Sequence, residues 1–190
     1  MYNKYILKRT MKYKLNDSSK SKKLHLGCGD NYLTGWTNID RDINIKLDIA
    51  LDFKYVRDFF KNNSIPEVMM IHSISYLRLW ETRDFFKDIY IILKKSGKLI
   101  LEFPDLEKCA KKILESNGNV EEYLEGVRGV YAFDLNQIKN KELFDTYAFG
   151  WSAWHIKYEL EYAGFSKILV KEPETHNQMS WRDTRIEAIK

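Results

Sequence analysis

"LHLGCGDNYLTGWTNID", Leu24 to Asp40, is the stretch on which the reading of this chain turns. Three residues fit for a buried strand lead through Gly27 and Gly29 to a second short strand, Thr37 to Asp40, that ends in an acid. A glycine directly after a buried strand permits a positive φ and lets a ligand approach the backbone with no Cβ in the way. An acid at the tip of the neighbouring strand offers a carboxylate that can accept two hydrogen bonds from a ribose diol. The two strands thus hold both halves of an adenosine site, although the same residues also suit a tight turn and a helix cap. A dinucleotide loop wants GxGxxG with its acid about 20 residues on. Here Tyr32 takes the third glycine position and Asp40 follows Gly29 by 11 residues, which counts against NAD.

Outward from this stretch the chain alternates strand and helix. Ile45 to Leu51, Val68 to Ser73 and Lys98 to Phe103 read as further buried strands. Phe85, Phe86, Ile89, Ile92 and Leu93 draw an apolar stripe down a helix from about Glu81 to Leu93, and Gly97 is its expected stop. Leu106, Cys109, Ala110, Ile113 and Leu114 repeat the stripe after Pro104, which makes Cys109 a core thiol. A third stripe runs through Val120, Tyr123, Leu124 and Val127. It opens a helical excursion at about residues 117–150, expected above the carboxyl ends of the strands, where open α/β sheets bind ligands. Ser152 is placed to cap a helix carrying Ile156, Leu160 and Ala163, with Gly164 to end it. "FSKILVKE" and "TRIEAIK" then read as two strands joined by a turn-rich stretch around Pro173 and Asn177, an antiparallel hairpin at the sheet edge. The alternation before them implies a mostly parallel sheet with helices on both faces.

Composition narrows the function classes. A chain of 190 residues, 44% hydrophobic, can bury one sizeable core, so we expect one domain over residues 23–190. The formal charge of +4 is unevenly spread: residues 1–23 hold eight basic side chains against the single acid Asp17, and the remainder is mildly acidic. Residues 1–22 therefore read as a basic, flexible leader, either a solvated tail or a contact for RNA or anionic lipid. No run approaches the roughly 18 apolar residues of a membrane span, and the first residues lack the apolar core of a signal peptide. A soluble, cytoplasmic protein is expected. Two cysteines without CxxC spacing and four histidines give no pattern for a structural metal.

The pieces "LHLGCG", "GWTNID", "LDIALDF", "LKKSGKLILEFPDLEK", "ELEYAGF" and "DTRIEAIK" occur in the order found in class I methyltransferases that use S-adenosyl-L-methionine. The sequence most resembles a small group of predicted methyltransferases marked by an LHLGCG loop, a GWxNxD second strand and a closing RxEAxK. The resemblance implies a Rossmann-like seven-stranded methyltransferase sheet, mostly parallel with an antiparallel last strand. It implies that Gly27, Cys28 and Gly29 wrap the methionine part of the cofactor, that Asp40 holds the ribose hydroxyls, and that Asp52 with Phe53 borders the adenine. Asp52 also suits a cap for the apolar turn that follows it. One departure stands out: where relatives often carry a Glu-His pair, this chain has Ser75 and Tyr76. His72 matches a histidine frequent at the tip of that strand.

Methyl transfer from a sulfonium is an in-line displacement, so positioning and exclusion of water carry most of the catalysis. A phenolate or amine acceptor needs little more, whereas a sugar hydroxyl gains about 10²- to 10⁴-fold from a base. His72 is the first choice for that base, with Asp105 and His155 behind it; Asp105 also fits a helix cap and His155 a packing residue. No NPPY-like motif marks a base N-methyltransferase, and the body lacks the basic, aromatic-interleaved patch of an RNA binder. Resemblance to relatives found among surface-polysaccharide functions points to O-methylation of a saccharide or other small-molecule acceptor. Two alternatives remain at this stage: an RNA methyltransferase anchored by the leader, and a non-catalytic protein of the same fold that docks a partner.

Overall fold

The computed structural model describes residues 23–133, 146–175 and 179–190. The expected leader, the turn at Asn177 and residues 134–145 of the expected excursion lie outside them. The described residues form one seven-stranded sheet: β1 (Leu24–Leu26), β2 (Thr37–Asp40), β3 (Ile49–Ala50), β4 (Ile65–Ile71), β5 (Leu93–Pro104), β6 (Ser166–Lys171) and β7 (Asp183–Ile189). Their spatial order is β3-β2-β1-β4-β5-β7-β6. Pairing is parallel from β3 to β5, and β7 runs antiparallel to both β5 and β6. Among the described residues four helices pack around it: α1 (Leu79–Ile92), α2 (Leu106–Glu115), α3 (Val120–Tyr131) and α4 (Ala153–Ala163). Short 3-10 helices span Phe53–Asp58 and Ile74–Tyr76. The expected Rossmann-like sheet with an antiparallel last strand is the observed one. The closing hairpin takes its expected form, with β7 inserted between β5 and an exposed edge strand β6.

The core follows from the helical stripes. Phe85, Phe86, Ile89 and Ile92 of α1, with Ile156 and Leu160 of α4, bury against Leu24, Leu26, Val68, Met70, Leu99 and Leu101 of the sheet. Gly164 ends α4 with φ +102, as its position predicts. The N-terminus of α4 is satisfied differently from expectation: Ser152 makes no side-chain cap, and Ala153 N donates instead to Asp105 Oδ2 at 3.2 Å.

Three local readings need correction. Gly97 does not stop α1, which ends at Ile92, and Leu93 turns directly into β5. No glycine is needed there because Asn63 N and Ser64 N donate to the Ile91 and Ile92 carbonyls at 3.0 and 2.9 Å, satisfying the helix end from outside. Strand β3 is two residues rather than Ile45 to Leu51, since Asp48 spends a carboxylate oxygen on Asn38 N (2.9 Å) and holds the approach as a loop. The stripes of α2 and α3 also bury less than their periodicity promised. Leu114, Val120 and Tyr123 are exposed, and α3 buries Gly126 and Gly129. These two glycines let the helices approach: a Cβ on Gly126 would lie 2.6 Å from Ile113 Cγ1, and one on Gly129 would lie 2.4 Å from Cys109 Sγ. Cys109 is fully buried and burial pushes its thiol up to about 12, so it is the packing residue expected.

This contact is open to test. Gly129→Ala should destabilise the protein by about 1–3 kcal/mol through overpacking. In a Cys109→Ala background, where the sulfur is gone, the same substitution should cost clearly less. Urea unfolding of the four proteins of this cycle measures the difference, and equal costs in both backgrounds would place the clash elsewhere.

Candidate functional site

The carboxyl ends of β1, β2 and β4 converge on a cleft. β1 ends at Leu26, and Gly27 (φ +65) turns the chain while its N–H donates to Ile39 O at 2.8 Å. A Cβ on Gly27 would meet Ser73 Cβ at 2.4 Å, so glycine is required here for a close crossing of the loop over β4. Ser73 ties the crossing down by donating from Oγ to Leu26 O at 2.9 Å. Gly29 (φ +49) is different, because a Cβ there meets no protein atom within 4 Å. The space it would enter is the cleft itself.

Asp40 binds this loop to β2. Its Oδ2 accepts from Gly29 N at 2.9 Å and its Oδ1 from Asp42 N at 3.0 Å, and each oxygen retains a lone pair for a further donor. The cleft, about 370 Å³, is lined by Gly27, Gly29, Asp40, Asp52 and Phe53 among others. Asp52 does what both of its readings asked: its Oδ1 caps the following turn by accepting from Lys54 N (3.2 Å), and it borders the cleft. Phe53 forms the wall beneath Gly27 and rests edge-on against Phe85, with ring centroids 5.7 Å apart. Cys28 is buried; burial first, and the charge of Asp40 second, push its thiol up to about 12. Five of the six expected cofactor residues therefore line one cleft, and Cys28 lines the hollow that adjoins it.

That adjoining hollow, about 320 Å³, shares Gly27, Gly29, Ser73 and Tyr76 with the cleft and adds His72. His72 stands one residue past β4 with φ +57, an uncommon backbone for a side chain that large, and its N–H donates to Glu102 O at 2.7 Å. His72 Nε2 lies 2.7 Å from Asp183 Oδ2. Asp183 is fully buried and also takes Arg182 Nε and Arg182 NH2 at 2.6 and 3.0 Å. Burial pushes its carboxyl up, but hydrogen bonds from His72 and Arg182 outweigh that and hold it below the ordinary range.

Asp105 and His155 do not line either space. Asp105 is a double cap: Oδ1 accepts from Glu107 N at the start of α2 and Oδ2 from Ala153 N at the start of α4. His155 packs its ring against Trp151 and Trp154, with centroids 5.0 and 5.2 Å away, and sits 3.7 Å from Glu159. The sequence reading missed Asp183, Arg182 and Tyr147, whose ring meets Tyr76 edge-on at 5.1 Å. Tyr147 belongs to the segment that returns to the sheet over Ser75, whose carbonyl accepts from Ala148 N (2.8 Å) and Phe149 N (3.2 Å). No local pattern announces Asp183, which is 111 residues from the histidine it holds.

No protein-family model matches the sequence, and no curated protein matches it. Solved structures do match the fold. An S-adenosylmethionine-dependent methyltransferase from Archaeoglobus fulgidus is 14% identical over 98% of this chain and 93% of its own, with a TM-score of 0.61. One from Methanosarcina mazei is 16% identical over 88% of this chain and 91% of its own, at 0.60. A phosphoethanolamine N-methyltransferase from Haemonchus contortus, solved with phosphomonomethylethanolamine and S-adenosylhomocysteine, covers 99% of this chain with 53% of its own length at 14% identity and 0.52. The fold is that of class I S-adenosylmethionine-dependent methyltransferases.

The His72–Asp183–Arg182 cluster has a consequence for stability. A carboxyl held below its unfolded value stabilises the fold at pH above about 3.9, and that contribution is lost as pH falls through the lower folded value. Asp183→Asn should therefore lower stability at neutral pH and flatten the acid limb of the stability curve. Urea midpoints taken from pH 7 to pH 3 read this directly, and an acid limb as steep as that of the wild type would contradict it.

Proposed function

We propose that this protein is an S-adenosylmethionine-dependent methyltransferase acting on a small hydroxylated acceptor, a saccharide first among them. The observation that carries the reading is the cleft framed by Gly29 and Asp40, which opens beside His72. There Gly27 and Gly29, with Cys28 from the adjoining hollow, face the methionine part of the cofactor, Asp40 accepts from the ribose hydroxyls, and Asp52 with Phe53 borders the adenine. When bound, the cofactor's sulfonium supplies an electrophilic methyl group whose bonding pair stays on sulfur as the acceptor's lone pair takes its place.

The chain's own residues then have three tasks. The loop and Asp40 fix one reactant, the hollow of about 320 Å³ confines the other, and near-attack alignment of the two lowers the barrier. A hollow of that size suits a small molecule. A hydroxyl must also shed a proton as its oxygen attacks, and His72, at the edge of the hollow, is the group we assign to take it. That the Haemonchus contortus neighbour, an N-methyltransferase, works on a phosphoethanolamine supports a small acceptor and not the hydroxyl, since that protein methylates nitrogen.

Transfer of tritiated methyl from S-adenosylmethionine into saccharide, nucleic-acid and protein fractions tests the proposal, with label expected in the saccharide or small-molecule fraction. Label in RNA would replace the acceptor class, and tight cofactor binding with no transfer to any fraction would favour a docking protein. The site itself is probed at Asp40. Charge-assisted hydrogen bonds are worth about 1.5–3 kcal/mol, so Asp40→Ala should weaken cofactor binding about ten- to a hundred-fold, and Asp40→Asn should recover part of the loss. A destabilised Asp40→Ala protein with unchanged affinity in calorimetric titration would remove Asp40 from the site. His72→Ala should leave that affinity within a few-fold and cut turnover.

A further inference from the structure

Two spaces meet in this site, and one large side chain stands on their border. Among the described residues, Gly27, Gly29, Asp30, Ser73 and Tyr76 line both the cleft and the hollow. Gly27 admits no Cβ, Gly29 has open space where one would stand, and Ser73 Oγ is turned to Leu26 O at 2.9 Å. Tyr76 is the one residue of the five that brings a ring. That ring is placed from two directions. Its backbone closes the short helix Ile74–Tyr76, in which Ile74 and Ser75 are buried and Tyr76 N donates to Ser73 O at 3.2 Å. Against the ring stands Tyr147, with centroids 5.1 Å apart and the planes 71° from parallel.

Tyr147 itself lines neither space. Its N–H meets Tyr131 O at 3.4 Å, at the end of α3, and its neighbours Ala148 and Phe149 donate to the Ser75 carbonyl at 2.8 and 3.2 Å. Phe149 packs in turn on the fully buried Trp151, with centroids 4.6 Å apart. The Tyr76 side chain, in a residue 42% exposed, is thus backed by contacts that end in the core. A ring left to solvent changes rotamer in nanoseconds, whereas one backed in this way gives the hollow a fixed edge.

We propose that Tyr76 is the specificity-determining residue of the acceptor hollow, a wall that limits the acceptor to one small molecule or one terminal ring, and that Tyr147 is the positioning residue that keeps it in place. This rests on the methyltransferase reading above and deepens it, since it says which acceptors the site admits. The hollow, about 320 Å³, is at the small end of ligand sites, and the wall accounts for that size. A small acceptor is confined beside the junction that the methyl group must cross. A larger one meets the ring before its reacting atom reaches that junction. Without the ring the hollow and the cleft open into one another, so small acceptors lose their alignment and larger ones gain entry.

The test is the size of what is methylated. Tritiated-methyl transfer from S-adenosylmethionine is measured into the accepting fraction after its separation by molecular size, for the wild type, Tyr76→Phe, Tyr76→Ala and Tyr147→Ala. Even one methylene in a pocket changes discrimination by about 10- to 200-fold. Tyr76→Ala should therefore shift kcat/KM from smaller to larger acceptors by at least about ten-fold, mainly by raising KM for the small ones. Tyr76→Phe keeps the ring and should keep the wild-type profile. Tyr147→Ala should shift the profile the same way, with calorimetric S-adenosylmethionine affinity within a few-fold, and should add nothing in a Tyr76→Ala background. If Tyr147→Ala does not fold, Tyr76→Ala, at a partly exposed ring, decides the matter. An unchanged profile in Tyr76→Ala overturns the inference, as does a loss of transfer equal at every size, or a Tyr76→Phe protein that behaves like Tyr76→Ala. A Tyr147→Ala shift that persists in the Tyr76→Ala background overturns the bracing role. A wild type that labels no fraction, or nucleic acid alone, removes the reading of the site and the wall with it. An active wild type whose variants keep its size profile removes this inference alone.

Discussion

The site depends on a buried amide. Parallel neighbours such as β1 and β2 usually need a crossover of a dozen or more residues with its own helix, and here the chain has only the loop from Gly27 to Trp36. A loop that short leaves backbone groups near the core without helical partners, and Asn38 supplies them. Its Oδ1 accepts from Leu33 N at 2.9 Å, and its Nδ2 donates to Leu33 O at 3.0 Å and Trp36 O at 3.2 Å. His25, next to it on β1, reaches the same Oδ1 at 3.0 Å and is kept neutral by its burial. Asp48 closes the ring from the other side with an oxygen on both the N–H and the side-chain amide of Asn38. Because every polar atom of the fully buried Asn38 side chain is engaged, the loop has one low-energy path, and that path brings Gly29 N to Asp40 Oδ2.

The same constraint shapes the opening of the cleft. A helix in place of this loop would stand over the glycines; the short link leaves Gly29 facing open space. Exposure of that face is compensated from the opposite side, where the segment after residue 145 returns over Ser75 and sets Tyr147 against Tyr76. Of the Ser75–Tyr76 pair, Ser75 anchors the returning segment through a backbone carbonyl that any residue would supply, and Tyr76 forms part of the wall shared by both spaces.

What could be read from the sequence was what local pattern encodes. β1 and β2 came out with their observed bounds, and the αL glycine at 164 ended α4, because strand burial, turn chemistry and helix stops act over a few residues. Gly97 misled because it resembles a helix stop, whereas the carbonyls it would have released are met by Asn63 and Ser64 from before the helix. The apolar stripes of α2 and α3 misled because those helices meet through Gly126, Gly129 and Cys109, where absence of a side chain does the packing. Asp105, read both as a candidate base and as a helix cap, is a cap, and it serves two helices at once. Asp183 was quoted only as the start of the closing strand and lies behind the histidine, since nothing within a window of sequence relates residues so far apart.

That last placement follows from topology rather than from accident. In the parallel part of the sheet, chemistry collects where strands end: Gly27 and Gly29 after β1, Asp40 at the close of β2, His72 after β4. β7 runs the other way, so the edge that receives the ends of its neighbours receives its beginning. Its first residue, Asp183, is paired with Pro104, the last of β5, and so arrives level with the tip of β4 across one intervening strand. A parallel last strand would have delivered Ile189 to that edge and sent Asp183 to the far side of the sheet. The reversal of one strand is what makes a buried carboxylate available to a histidine that the rest of the sheet presents at its rim.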